Sequence, residues 1–121
     1  MSAVEIVIPW DGQEYTVSEG TMVVINRHLA RNRREFTSEV ARKVNTSLVN
    51  IAKKSAKQGP EPVRKARNLL YQAQKELYIY ALFVGDRRPS EMTWLAQILG
   101  GNDVRYICVA ARKRQQQLKV A

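Results

Sequence analysis

The chain has 121 residues, 45% of them apolar, with a formal net charge of +9; this is enough apolar matter for the core of one domain and too much for a disordered tail. No apolar run approaches the roughly 18 residues of a membrane span, and the N-terminus lacks the basic and apolar regions of a signal peptide, so a soluble cytoplasmic protein is expected. Cys108 is the only cysteine and His28 the only histidine, which excludes an internal disulfide and puts a conventional Cys/His zinc site out of reach.

Val4, Ile6 and Ile8 alternate with Glu5 and Val7, Pro9-Trp10-Asp11-Gly12 supplies turn chemistry, and Glu14-Tyr15-Thr16-Val17 follows with strand-like residues. This predicts a β-hairpin. Two strands alone are marginal in water, so its apolar side must pack on helices, with Trp10 and Tyr15 as candidates. After Gly20 the period changes. Met22, Ile25 and Leu29 are spaced by three and four behind Thr21, placed to cap a helix that runs into Arg31-Asn32-Arg33-Arg34. Phe36, Val40, Val44, Leu48 and Ile51 then form an apolar stripe, widened by Ala52 and Ala56. The pattern is compatible with one bent helix or with two, divided near Phe36-Thr37-Ser38.

Gly59-Pro60-Glu61-Pro62 ends that helix, and a proline in the first turn starts another. Leu69, Leu70, Ala73, Leu77, Ala81 and Val84 mark its apolar face, with Gly85 as the expected left-handed terminator. Asp86-Arg87-Arg88-Pro89 reads as a basic loop. Ser90 is placed to cap a short helix holding Met92, Leu95, Ile98 and Leu99, which Gly100-Gly101 ends. Val104 to Val109 is β-branched enough for a strand, yet the following Ala110 to Lys119 favours helix, and a helix from Asp103 is the reading adopted. The prediction is a mainly α protein, a compact bundle of four to five helices with an N-terminal β-hairpin. It forms one domain over 1–121, with 1–20 an acidic hairpin appendage and 21–121 a basic helical bundle.

Charge is distributed unevenly. Glu5, Asp11, Glu14 and Glu19 give the first twenty residues −4 with no base, which leaves 20 bases against 7 acids in the remainder, a net +13. Twelve of those bases fall between Arg27 and Arg67, opposed by Glu35, Glu39 and Glu61 alone. A field of this density attracts polyanions.

Catalysis would require a nucleophile with its base, a carboxylate pair or a liganded metal. His28 lies among Arg27, Leu29 and Arg31, where a solvated or phosphate-facing imidazole is the better reading than a general base. Glu35 and Glu39 are accounted for by pairing with Arg31 and Lys43 on one helix. Cys108 sits in an apolar segment and reads as a buried structural cysteine. Gly100-Gly101 lacks the Lys-Ser/Thr of a phosphate loop. No enzyme, metal, cofactor or small-molecule substrate is expected.

The basic clusters are more informative. On the helix predicted from Phe36 to Lys57, Arg42, Lys43, Asn50, Lys53, Lys54 and Lys57 fall opposite the apolar stripe, where successive turns could follow a phosphate backbone. Arg64, Lys65 and Arg67 begin the next helix just across the Gly-Pro turn, so both patches meet at one end of a helical hairpin. Arg31, Arg33 and Arg34 offer guanidinium groups suited to bidentate phosphate contact. Arg87 and Arg88 in a loop and Arg112, Lys113 and Arg114 near the C-terminus are outlying contacts. Tyr71, Tyr78, Tyr80 and Trp94 fall on apolar faces and read as core rather than as stacking platforms. Backbone recognition is therefore favoured over base reading; a recognition helix of helix-turn-helix type stays open.

A compact, basic, mostly helical chain of this size resembles the small subunit of multi-subunit CRISPR effector complexes, especially versions produced from the C-terminal end of a large-subunit gene, as in subtype I-D. The resemblance spans Thr21 to Val120 and rests on size, helicity and the basic faces that carry Arg42, Lys43, Lys53, Lys54, Lys57, Arg64, Lys65 and Arg67. The hairpin from Glu5 to Val17 departs from it. The resemblance implies several copies inside a ribonucleoprotein filament, supporting the guide-target duplex or displaced strand by backbone contacts while base pairing reads sequence. Expected partners are RNA or DNA backbone, other protein subunits and further copies of the chain, with no membrane. Two other readings stand beside it: a free-standing nucleic-acid-binding protein, such as a regulator or phage-encoded binder, and an interaction module or inhibitor acting on an acidic protein.

Overall fold

The computed structural model describes residues 3–7, 12, 14–57, 60–101, 105–107, 109, 113 and 116. Strands β1 (Val4–Val7) and β2 (Glu14–Val17) pair antiparallel, Val4 opposite Val17 and Ile6 opposite Tyr15. Helices α1 (Glu19–Ala30), α2 (Ser38–Ala56) and α3 (Pro60–Phe83) follow, then a single 3-10 turn (Pro89–Met92) and α4 (Thr93–Leu99). The mainly helical architecture with an N-terminal hairpin is the one expected from the sequence. Residues 105–107 and 109 are helical too, as read from Asp103 onward, and Ile107 is buried. Trp10, Gly59, Cys108, Arg112 and Arg114 lie outside the described residues.

One core serves the whole assembly. Ile6 and Val17 from the hairpin, Ile25 and Leu29 from α1, Val40 and Val44 from α2, Leu77 and Ala81 from α3, and Leu95 from α4 belong to a single buried cluster. Strand alternation turns Ile6 and Val17 to the same side, and the helical period does the same for each helix stripe. The hairpin thus gains the support it lacks alone: Tyr15 packs against the cluster and Lys75 of α3 lies over its ring, 5.9 Å from the centroid.

The α2–α3 pair forms an antiparallel helical hairpin. Asn45 Oδ1 accepts from Gln74 Nε2 at 2.9 Å, and these residues stand almost equally far from the turn that joins the helices. Gln74 is buried, and its Oε1 has no hydrogen-bond partner among the described residues. A further cross-tie is Glu76 of α3, also buried. Its carboxylate accepts from the Ser18 backbone N–H and from the Thr21 hydroxyl, holding the start of α1 against α3.

Several local expectations need correction. Thr21 is not a cap: α1 begins two residues earlier behind Ser18, and Thr21 is buried against Glu76. Of the two readings left open for the runs on either side of Phe36, the structure has two helices, with the chain turning through Arg31 to Arg34; the expected pairing of Arg31 with Glu35 on one helix is the part that fails, since neither residue is helical. Helix α2 starts at Ser38, with the Thr37 hydroxyl accepting from Val40 N–H at 3.2 Å, so Phe36 precedes it and meets Tyr80 edge-on at 5.2 Å. Gly85 does not take the left-handed conformation; Asp86 does, at φ 53°. What Gly85 provides is room: a Cβ there would lie 2.5 Å from Phe36 Cδ1. Ser90 makes no side-chain cap, since it falls inside the 3-10 turn and its carbonyl accepts from Thr93 Oγ1. Ile51, Leu69, Tyr71, Val84 and Ile98 are exposed rather than core.

Candidate nucleic-acid interface

The outer face of α2 follows from its period. With Val40, Ala41, Val44 and Leu48 inward, the 3.6-residue repeat brings Lys43, Asn50, Lys54 and Lys57 onto one outward line. That line runs about 21 Å at 1.5 Å per residue, or roughly six nucleotide steps of a strand. All four are exposed, as is Lys53 on the adjacent line. No acidic residue occurs between Glu39 and Glu61, so nothing from α2 itself neutralises this line beyond its first turn.

The antiparallel hairpin places Arg64, Lys65 and Arg67, all exposed, at the same end as Lys53, Lys54 and Lys57. The meeting of these clusters expected from the sequence is thus present as a basic tip. Ala66 is buried between them, so the three α3 bases fan around the helix instead of lying on one face.

Arg31, Arg33 and Arg34 form the turn between α1 and α2. Arg34 N–H and Asn32 N–H both return to the Leu29 carbonyl, and Arg33 and Arg34 sit at φ 55° and 60°. Two consecutive non-glycine residues in the left-handed region cost of order 1 kcal/mol each or more. The exposed stems of both arginines thus leave a tightly turned backbone.

Other predicted contacts are engaged locally. The Arg42 guanidinium lies over the Trp94 ring, 4.6 Å from its centroid, and so braces α4 against α2. Arg87 donates from Nε to the Gly85 carbonyl at 3.2 Å and stands 3.7 Å from Glu91, while Arg88 is exposed. Glu91 also accepts from Ser38 at 2.7 Å, and this hydrogen bond, ahead of the Arg87 charge, lowers its carboxyl pKa. Arg87 and Arg88 therefore lie by the first turn of α2, about 28 Å along the helix from the basic tip, and the two do not form one patch. Lys113 is exposed and helical.

One constellation was not assembled from sequence. His28 Nε2 and Ser47 Oγ are 2.8 Å apart across the α1–α2 crossing. Burial lowers the imidazole pKa, and Arg31, Arg27 and Lys43 lower it further. The bond joins residues 19 apart on different helices, and periodicity within each helix carries no information about that pairing; the only visible hint was the company of cations around His28.

A second surface is apolar. Val24 of α1, Leu48 and Ile51 of α2, and Ala66, Leu69 and Leu70 of α3 line a groove of about 580 Å³ that ends at Thr21 and Glu76. Of its lining residues, Leu69 is 69% exposed and Ile51 49% exposed. Among the described residues no group of three His, Cys, Asp or Glu is placed to hold a metal ion, and no helix is long and apolar enough to cross a membrane. The chain matches no family model, no curated protein and no solved structure.

Proposed function

We propose that this chain is a noncatalytic nucleic-acid-binding subunit of a cytoplasmic ribonucleoprotein complex, of the kind its resemblance to CRISPR effector small subunits implies. It holds a guide-target duplex or a displaced strand by its phosphates and leaves sequence to base pairing. The observation that supports this most directly is the exposed line Lys43, Asn50, Lys54 and Lys57, unopposed by acids within α2 after Glu39 and continued at the tip by Arg64, Lys65 and Arg67. The line on α2 carries no aromatic residue between Ser38 and Ala56, and Tyr78 and Tyr80 of α3 are buried; Tyr71, one turn beyond Arg67, is the exposed aromatic nearest in sequence to the tip. That combination suits sequence-independent contact. The apolar groove supports the subunit form of the reading, since it offers a second face to a neighbouring protein.

The test is the salt dependence of binding to unrelated oligonucleotides. Replacing Lys43, Lys54 and Lys57 together by Ala should leave the helical spectrum intact and weaken binding to every sequence alike. It should also flatten the slope of log K against log salt by roughly 0.7 to 0.9 per lost phosphate contact. An unchanged slope removes α2 from the interface. Tagged purification beside the genomic neighbours tests the complex: a discrete RNA with several other subunits supports it, whereas heterogeneous nucleic acid released by salt favours a free-standing binder.

A further inference from the structure

The α1–α2 crossing carries three cations around one polar pair. His28 and Ser47 share their hydrogen bond where two helices meet, and the charges that act on the ring are Arg31 from the turn that follows α1, Arg27 from α1 and Lys43 from α2, all positive. An ordinary interhelical tether has no need of three cations, which repel one another and oppose protonation of the ring. An anion resolves all of these repulsions together. We propose that Arg27, His28, Arg31, Lys43 and Ser47 form a phosphodiester subsite at the α1–α2 crossing, which takes up one proton on His28 as the phosphate binds. This deepens the nucleic-acid reading above and rests on it.

The chemistry follows from the hydrogen bond. Above pH 6.5 the imidazole of the free protein is neutral, since burial and then the three cations lower its pKa from that value, and its Nε2 either accepts the Ser47 hydroxyl proton or donates to that oxygen. A phosphate among the three cations supplies the missing negative charge, which favours the imidazolium. The protonated ring has donors only, so Nε2–H donates to Ser47 Oγ and the hydroxyl proton turns outward to a phosphate oxygen. The proton comes from solvent and no covalent bond changes. Binding should therefore tighten as pH falls through the window between the free and the liganded pKa of His28, by at most tenfold per pH unit for one proton. A phosphodiester stays a monoanion throughout that window, and His28 is the only histidine in the chain.

The experiment measures the affinity of the folded protein for a fluorescent single-stranded oligonucleotide at pH 7.5 and pH 5.5 at fixed ionic strength, in the wild type, His28→Asn and Ser47→Ala. The expected result is a roughly three- to tenfold gain at low pH in the wild type, absent from His28→Asn and reduced in Ser47→Ala. Tight binding with no difference between wild type and His28→Asn overturns the subsite and leaves the nucleic-acid reading standing. Should no oligonucleotide bind, that reading fails, and NMR titration of the His28 ring in sulfate against chloride at equal ionic strength decides the subsite. A pKa raised by sulfate supports an anion site at the crossing; an unmoved one overturns it.

Discussion

Gly85→Ala is a sharp test of the packing at the end of α3. Gly85 does not adopt positive φ, so alanine carries no backbone strain there, and reduced freedom of the unfolded chain would alone stabilise the variant by about 0.4 to 1 kcal/mol. The structure opposes this sterically: the new methyl would lie 2.5 Å from Phe36 Cδ1, 3.1 Å from Phe36 Cε1 and 3.1 Å from the Ala81 carbonyl oxygen. Phe36 is half-buried with its ring set edge-on to Tyr80 at 5.2 Å, so its retreat in that direction is blocked. Overpacking of this kind costs about 1 to 3 kcal/mol, and the net expectation is a loss of about 1 to 2 kcal/mol. Urea unfolding followed by far-UV circular dichroism measures it as a lower midpoint with an unchanged slope. The same substitution in a Phe36→Ala background should be neutral or slightly stabilising, because the ring that creates the clash is gone. Equal or greater stability of Gly85→Ala in the wild-type background would refute the reasoning, and a penalty that persists without Phe36 would assign the clash elsewhere.

Glu76→Ala removes the carboxylate that accepts from the Ser18 N–H and the buried Thr21 hydroxyl, leaving Thr21 only the Ser18 hydroxyl at 3.2 Å, and should cost about 1 to 3 kcal/mol in thermal or chemical unfolding, most of it recovered by Glu76→Gln. Arg42→Ala removes the cation from the Trp94 face; a loss of about 0.5 to 1 kcal/mol is expected, with a change in Trp94 fluorescence. His28 adds a pH dependence to stability. Its folded pKa lies below the unfolded value near 6.5, lowered by burial and then by Arg31, Arg27 and Lys43. The native state thus binds fewer protons, and this contribution is complete above pH 6.5 and is lost as pH falls through the folded value. Melting temperatures at pH 7.5 and 5.5 should separate more in the wild type than in His28→Asn.

Much of the architecture was legible in the chain, because it depends on patterns that are local. The alternation of Val4 to Val7 against Glu14 to Val17, the stripe Val40, Val44 and Leu48, and the proline that starts α3 each report a backbone conformation within a few residues. The outward position of Lys43, Asn50, Lys54 and Lys57 follows from the same period that buries Val44. Tertiary structure alone decided what meets across elements. Ile51 and Leu69 continue their stripes yet stand exposed, because they line a groove between α1, α2 and α3 that no described element fills. Arg42 belongs to the basic stripe by sequence and to Trp94 by contact. Gly85 is explained by the Phe36 ring instead of by its own dihedrals, and His28 acquires Ser47 only where two helices cross. The physical reason is common to all four. Helical and strand periods determine which way a side chain faces on its own element, whereas the neighbour it faces depends on crossing and packing of elements far apart in the chain, which no local period encodes.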